Sequence, residues 1–170
     1  MLMKKILLLT GLVLISCLNS IAQGTQSSPS KEETQQWISQ KILQFGLDLK
    51  DTKHTYKLTF MDDFLIIDHT TTMISVNGNS GLHAIKMIPI KKIQSIYFSE
   101  KTSSYWLTIA LKNNEAAISV TYDGLPKKMY SSTDFILSKS IDSDNMKDRL
   151  SKALNHLVEL YGGTPTKEVF

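Results

Sequence analysis

The spacing of apolar side chains changes twice along this chain, and those changes limit its fold more than any other feature. Trp37, Ile38, Ile42 and Phe45 share one face at helical spacing. From His54 the period drops to two, with Tyr56, Leu58 and Phe60 alternating with polar residues. From Met146 the helical period returns through Leu150, Ala153, Leu154, Leu157 and Tyr161. A stretch of short strands between two amphipathic helices is therefore expected.

The ends of these segments carry local stop and start signals. Ser30-Lys31-Glu32-Glu33 reads as a capping box opening the first helix, and Gly46 suits its end. Asp142, Ser143 and Asp144 suit the start of the last helix, and Gly162-Gly163 with Pro165 its end. With Asp62-Asp63 as a turn pair, Phe60 faces Leu65, Leu58 faces Ile67 and Tyr56 faces His69. That register gathers the apolar residues of both strands on one face. Further strand signals lie at Met73–Val76, Leu82–Ile88 and Ile93–Phe98, with Asn77-Gly78-Asn79-Ser80-Gly81 as a turn between the first two. Tyr105, Leu107, Ile109 and Leu111 alternate, and Asn113-Asn114 offers a hairpin into Ala116, Ile118, Val120 and Tyr122. A loop through Asp123–Pro126 precedes a last strand near Asp134–Ser138. Short connections imply antiparallel pairing. The expectation is α+β: an N-terminal helix, a sandwich or part-open barrel of six to eight antiparallel strands, and a C-terminal amphipathic helix.

The stretch Ile88-Pro89-Ile90-Lys91-Lys92-Ile93-Gln94-Ser95-Ile96 leading into Tyr105–Leu111, with Thr133–Leu137 leading into the final helix, resembles the pleckstrin-homology (PH-like) superfold. There a helix plugs one end of a bent sheet sandwich. The resemblance spans about residues 54–161, and the helix at Lys31–Phe45 is an addition to that plan. The chain is also similar to small exported bacterial proteins with a Trp-containing N-terminal helix and a His-Leu C-terminal helix, which implies no activity. Phosphoinositide-binding PH domains place Lys and Arg around the first hairpin. Here it turns on Asp62-Asp63 without Arg, which counts against that ligand.

The N-terminus has the layout of a secretory signal. Lys4-Lys5 precedes an apolar run from Ile6 to Ile15, followed by Ser16-Cys17-Leu18-Asn19-Ser20-Ile21-Ala22. The run is about a dozen residues, against the roughly 20 that span a bilayer, so no transmembrane span is expected in the mature chain. Ser20-Ile21-Ala22 favours cleavage after Ala22, giving a periplasmic or secreted protein. Leu14-Ile15-Ser16-Cys17 offers the alternative of a lipobox, with a membrane-tethered lipoprotein anchored at Cys17. The organisation is then a signal at 1–22, a spacer at 23–29, a single domain at 30–163 and a tail at 164–170.

Cys17 is the only cysteine, so cleavage after Ala22 leaves no disulfide or thiolate site. About 145 mature residues suffice for one core. The formal charge of +3 falls to about +1 once Lys4 and Lys5 leave. Arg149 is the sole arginine, which argues against nucleic acid as a partner.

Catalytic and metal motifs do not assemble. Gly78-Asn79-Ser80-Gly81 is a turn rather than a nucleophile elbow, and Asp62-Asp63 are turn formers. His54 and His69 lie diagonally on one strand face, but Asp68 points to the other and no third ligand is evident. His83 has no fixed relation to them, and His156 edges the apolar stripe of the last helix. No cofactor, metal or catalytic residue is assigned. Lys86, Lys91, Lys92 and Lys101 form a loose basic cluster, read chiefly as strand-edge protection. Tyr105, Trp106 and Trp37 are the aromatic candidates. Trp106 sits opposite Leu107 and Ile109, either covered by the first helix through Trp37 or exposed as an anchor. The functional expectation is a non-catalytic exported binding or scaffold domain, with an unknown protein or envelope component as partner and Trp106, Tyr105, Trp37, Lys91 and Lys92 as contacts. The alternative is a carrier of a small apolar ligand or lipid.

Overall fold

A computed structural model describes residues 28–76 and 78–166. The expected signal, its two cleavage endings, Cys17 and all but the last two residues of the 23–29 spacer lie outside the described residues. The elements in chain order are α1 (Lys31–Phe45), β1 (Thr52–Met61), β2 (Phe64–Ser75), β3 (Gly78–Pro89), β4 (Ile93–Glu100), β5 (Ser104–Leu111), β6 (Ile118–Tyr122), β7 (Lys128–Tyr130), β8 (Ser132–Ser138) and α2 (Met146–Leu160). The class is α+β. Two antiparallel sheets, ordered β1-β2-β3-β6-β7 and β4-β5-β8, carry the eight strands and do not close into a barrel.

The first hairpin has the register that its apolar pattern demands: Phe60↔Leu65, Leu58↔Ile67 and Tyr56↔His69. Asp62 takes φ 52° in the turn, a conformation Asp tolerates better than most residues. α1 begins with the full capping box, the Ser30 hydroxyl accepting from Glu33 N–H and the Glu33 carboxylate from Ser30 N–H. Its buried face is Thr34, Ile38, Ile42 and Phe45.

Four local expectations are corrected. Asn113 and Asn114 both adopt φ 54°, as a reversal requires, yet the reversal passes from one sheet to the other. β5 already has β4 and β8 on its two edges, so β6 pairs with β3. Met73–Ser75 continues β2, and Gly78–Gly81 belongs to β3, which pairs with it from Ser75↔Gly78 outward. β7, a three-residue exposed strand, falls where only a loop was expected. Asp142, Ser143 and Asp144 do not cap α2. They lie in a run of 3-10 turns (Lys139–Asn145), and Asn145 at the helix start makes no side-chain cap bond.

Gly46 does end α1, for a different reason from the expected one. Its φ of −49° is open to any residue. An added Cβ would lie 2.6 Å from the His54 carbonyl oxygen, so glycine is set by close approach. From there the chain slips between the edges of the two sheets. Gly46 bridges to Leu137, Leu47 N–H donates to Ile136 C=O at 3.2 Å, and His54 N–H donates to Leu47 C=O at 2.7 Å. Residues 46–48 thus stitch β1 to β8.

One cluster of buried apolar side chains draws on both sheets and both helices, with Phe135, Ile67, Leu107, Ile38 and Leu154 among its members. α1 packs on α2, β1 and β8, and α2 packs on β4. Among the described residues no helix is long and apolar enough to cross a membrane.

Candidate functional site

The two helices leave a groove between them of about 570 Å³, lined by Pro29, Glu33, Thr34, Trp37, Arg149, Lys152, Ala153 and His156. Helical geometry explains the lining. Residues 33, 34 and 37 form one stripe of α1, and 149, 152, 153 and 156 form one stripe of α2. Trp37 is half-buried, with the Arg149 guanidinium carbon 5.7 Å and Lys41 Nζ 6.0 Å from its ring centroid. His156 Nε2 lies 3.2 Å from the Pro29 carbonyl oxygen, which closes one end. Glu33 is the acidic side chain in the lining. Its carboxyl sits below the usual carboxylate range because it accepts from Ser30 N–H and meets the Ser30 hydroxyl. Its charge is therefore engaged at the helix cap, and Arg149 and Lys152 set the sign of the open surface.

The other candidates scatter. Trp106 is half-buried on the outer face of β5, beside Ser99 and Ile136, with Lys101 Nζ 5.1 Å from a ring centroid. Trp37 faces the helix groove instead, so of the two alternatives for Trp106 the cover through Trp37 is not the one found. Tyr105 is 5 % exposed and belongs to the core. Its hydroxyl donates to Asp142 Oδ2 at 3.1 Å, and Lys139 and Lys147 cover its ring. It is thus withdrawn from the surface where a binding role would need it. Lys91 pairs with Asp63 at 2.8 Å and Lys92 with Glu115, so each basic head is already matched by a carboxylate. Lys86 is not in a surface cluster at all. It is 8 % exposed and donates to the Asp134 carbonyl at 3.2 Å.

Lys86 shares the sheet interior with an unexpected polar group. His54 Nδ1 and His69 Nε2 are 3.1 Å apart, and Thr71 Oγ1 lies 3.2 Å from each. His69 stacks on Tyr56, ring centroids 4.5 Å apart, and the Tyr56 hydroxyl accepts from Ile136 N–H at 2.8 Å. Burial drives the titration of the group. It lowers His54 and pushes His69 down to about 3, with the Lys86 ammonium adding to both. It pushes Lys86 down to about 8 and raises Tyr56. On the opposite sheet face His83 is held by Asp123 at 3.0 Å and Asp68 at 2.9 Å. These hydrogen bonds raise its pKa, Asp123 contributing most. Among the described residues no group of three or more His, Cys, Asp or Glu side chains is placed to hold a metal.

The α2 side of the groove lies outside the residues expected to make contacts. The signal was present: the sole arginine recurs with Lys152 and His156 at helical spacing, beside the apolar stripe. Lys86 was also legible, since it shares parity with Ala84 and Ile88 on β3.

Comparison with family models, with curated proteins and with solved structures gave no match to this chain.

Proposed function

We propose that this chain is a non-catalytic exported binding domain on a PH-like plan, whose partner presents an acidic segment to the groove between α1 and α2. The observation that carries the reading is the groove itself. An indole wall at Trp37 lies under the Arg149 guanidinium, Lys152 and His156 stand beside it, and the acid in the lining is engaged at the cap. Aromatic and Arg side chains are the residue types that most often dominate binding energy at interfaces. Cations at the rim steer an acidic partner and suppress basic ones.

The PH-like element of the reading is supported by two antiparallel sheets and an amphipathic helix that follows the last strand. Export is supported by the N-terminal run Met1–Ala22. The non-catalytic element is supported by the placement of the displaced bases. His54, His69 and Lys86 face the sheet interior, and none of them lines the groove.

A Trp106→Phe variant leaves Trp37 as the only indole and makes the groove self-reporting. Titration with a short glutamate-rich peptide is expected to change Trp37 emission saturably, with an affinity that weakens as salt rises. Adding Arg149→Glu is expected to abolish the change while the melting curve holds. A signal that survives Arg149→Glu, or no saturable signal with either protein, refutes the assignment of the groove.

A further inference from the structure

β3 pairs with β2 along its whole length, but with β6 only over Ala84–Met87. The ladder to β6 ends where Asp123 N–H donates to the His83 carbonyl at 3.3 Å, and the chain then turns away at Gly124. In an antiparallel ladder, alternate residues turn their N–H and C=O to the same edge. His83 faces the β6 side, so Asn79 and Gly81 present their N–H and C=O groups there too, where no described strand lies. Gly78, Ser80 and Leu82 bond instead to β2.

The remaining edges are guarded over at least part of their length. β8 is covered by Gly46–Leu47 and the Tyr56 hydroxyl, and β1 is partly covered by residues 47–49. β4 carries a bulge at Ile93/Ser95 and receives Thr166 N–H on Gln94 C=O. β7 is three residues long and begins at Lys128, next to Lys127. Gly78-Asn79-Ser80-Gly81-Leu82 has none of these protections: no charge, no proline and no bulge. Exposed apolar side chains flank it. Met73, the cross-strand partner of Ser80, is 51 % exposed, and Leu82 on the same face is 45 % exposed.

We propose that this stretch of β3 is a dimerisation edge that pairs with the same stretch of a second copy, antiparallel about a two-fold axis at Ser80. The choice of occupant follows from the register. Asn79 lies opposite the partner's Gly81, and Gly81 opposite the partner's Asn79. Both are hydrogen-bonded pairs, so the two open residues of each copy satisfy all four of their backbone groups. Leu82 lies opposite the partner's Gly78, which has no side chain to obstruct it. Ser80 faces the partner's Ser80 in the close, non-bonded pairing, where a small uncharged residue fits. The two β1-β2-β3-β6-β7 sheets then continue into each other. The surface shares no residue with the α1–α2 groove, so the groove remains available in the dimer.

The test is sedimentation equilibrium over a range of protein concentrations, supported by circular dichroism. The wild-type protein is expected to show a reversible monomer–dimer equilibrium. Ser80→Lys sets like charges directly opposite across the axis and is expected to weaken the dimer by roughly tenfold or more. Ser80→Glu is expected to do the same, and an equal mixture of the two variants is expected to recover a heterodimer. Gly81→Pro removes an outward N–H without touching the β2 ladder and is expected to give a folded monomer. A wild-type protein that stays monomeric at every concentration overturns the proposal. So does a dimer as tight in Ser80→Lys and Gly81→Pro as in wild type, or a mixture of the Lys and Glu variants that stays monomeric.

Discussion

Replacing Lys86 by methionine is expected to stabilise the protein at neutral pH. The Lys86 side chain lies on the interior face of β3, across from Ile67 on β2 and Val120 on β6, and is 8 % exposed. Its pKa falls from 10.5 to about 8, because burial penalises the ammonium more than the nearby Asp134 carboxylate restores it. At about 1.4 kcal/mol per pH unit, that displacement corresponds to roughly 3 kcal/mol of unfavourable charge burial. Methionine fills nearly the same volume without charge. It forfeits the hydrogen bond to the Asp134 carbonyl, worth about 1–2 kcal/mol, so a net gain of about 1–2 kcal/mol remains at pH 7. The pH dependence has a fixed sign. Between pH 8 and 10.5 the unfolded chain binds this proton and the folded chain does not, so wild-type stability rises with pH by about 3 kcal/mol. Urea denaturation at matched pH values gives the difference curve between wild type and Lys86→Met. It is expected to narrow and then reverse across that interval as the wild type gains. Parallel curves from pH 8 to 10.5, with Lys86→Met less stable at pH 7, would refute the reasoning.

Three further outcomes follow from the same interior and its rim. Tyr56→Phe leaves Ile136 N–H without its acceptor and is expected to cost about 1–3 kcal/mol in urea denaturation, with little change in cooperativity. Gly46→Ala drives a Cβ against the His54 carbonyl and is expected to lower the melting temperature. Gly81→Ala, whose nearest contact is an ordinary 3.7 Å, is expected to leave it unchanged. His83 is expected to titrate above its ordinary value by NMR, since its charged form is held by Asp123 and Asp68; Asp123→Asn should return it part of the way, and a normal wild-type titration would remove the clamp. The stability contributed by that clamp is present below the ordinary His value and is lost as pH rises through the elevated one.

Local chemistry made much of the fold legible. The capping box, the register of the first hairpin and the stripes of both helices depend on residues close in sequence, and each is found as their pattern implies. What was not legible depends on occupancy by distant residues. Asn113-Asn114 specifies a reversal of direction but carries no information about the neighbours that β5 already has. Asp142 could have served α2, yet the Tyr105 hydroxyl and Lys147 hold it and lower its pKa, Lys147 most strongly. Strand parity set Trp106 on the face opposite Leu107 and Ile109, while Tyr105, offered as a contact, shares the parity of those core residues and is buried with them. Parity could not show that the first helix would carry Trp37 to α2 rather than to β5. The candidate groove was half legible for the same reason: each helix writes its own stripe, and the meeting of the stripes is tertiary.

The stitching of β1 to β8 by residues 46–48 ties the first strand of the molecule to its last. The chain passes from one sheet to the other after β3, after β5 and after β7, so neither sheet is made from one continuous piece. β8 arrives last among the strands, and its outer edge waits for a connector that left α1 some ninety residues earlier, a separation that makes closure entropically late. A chain emerging N-terminus first from synthesis would hold α1, the connector and the long first hairpins exposed until nearly all of it had been made. Its vulnerable interval is thus set by the emergence of residues 132–138, and truncation before them would leave both sheets with an open seam.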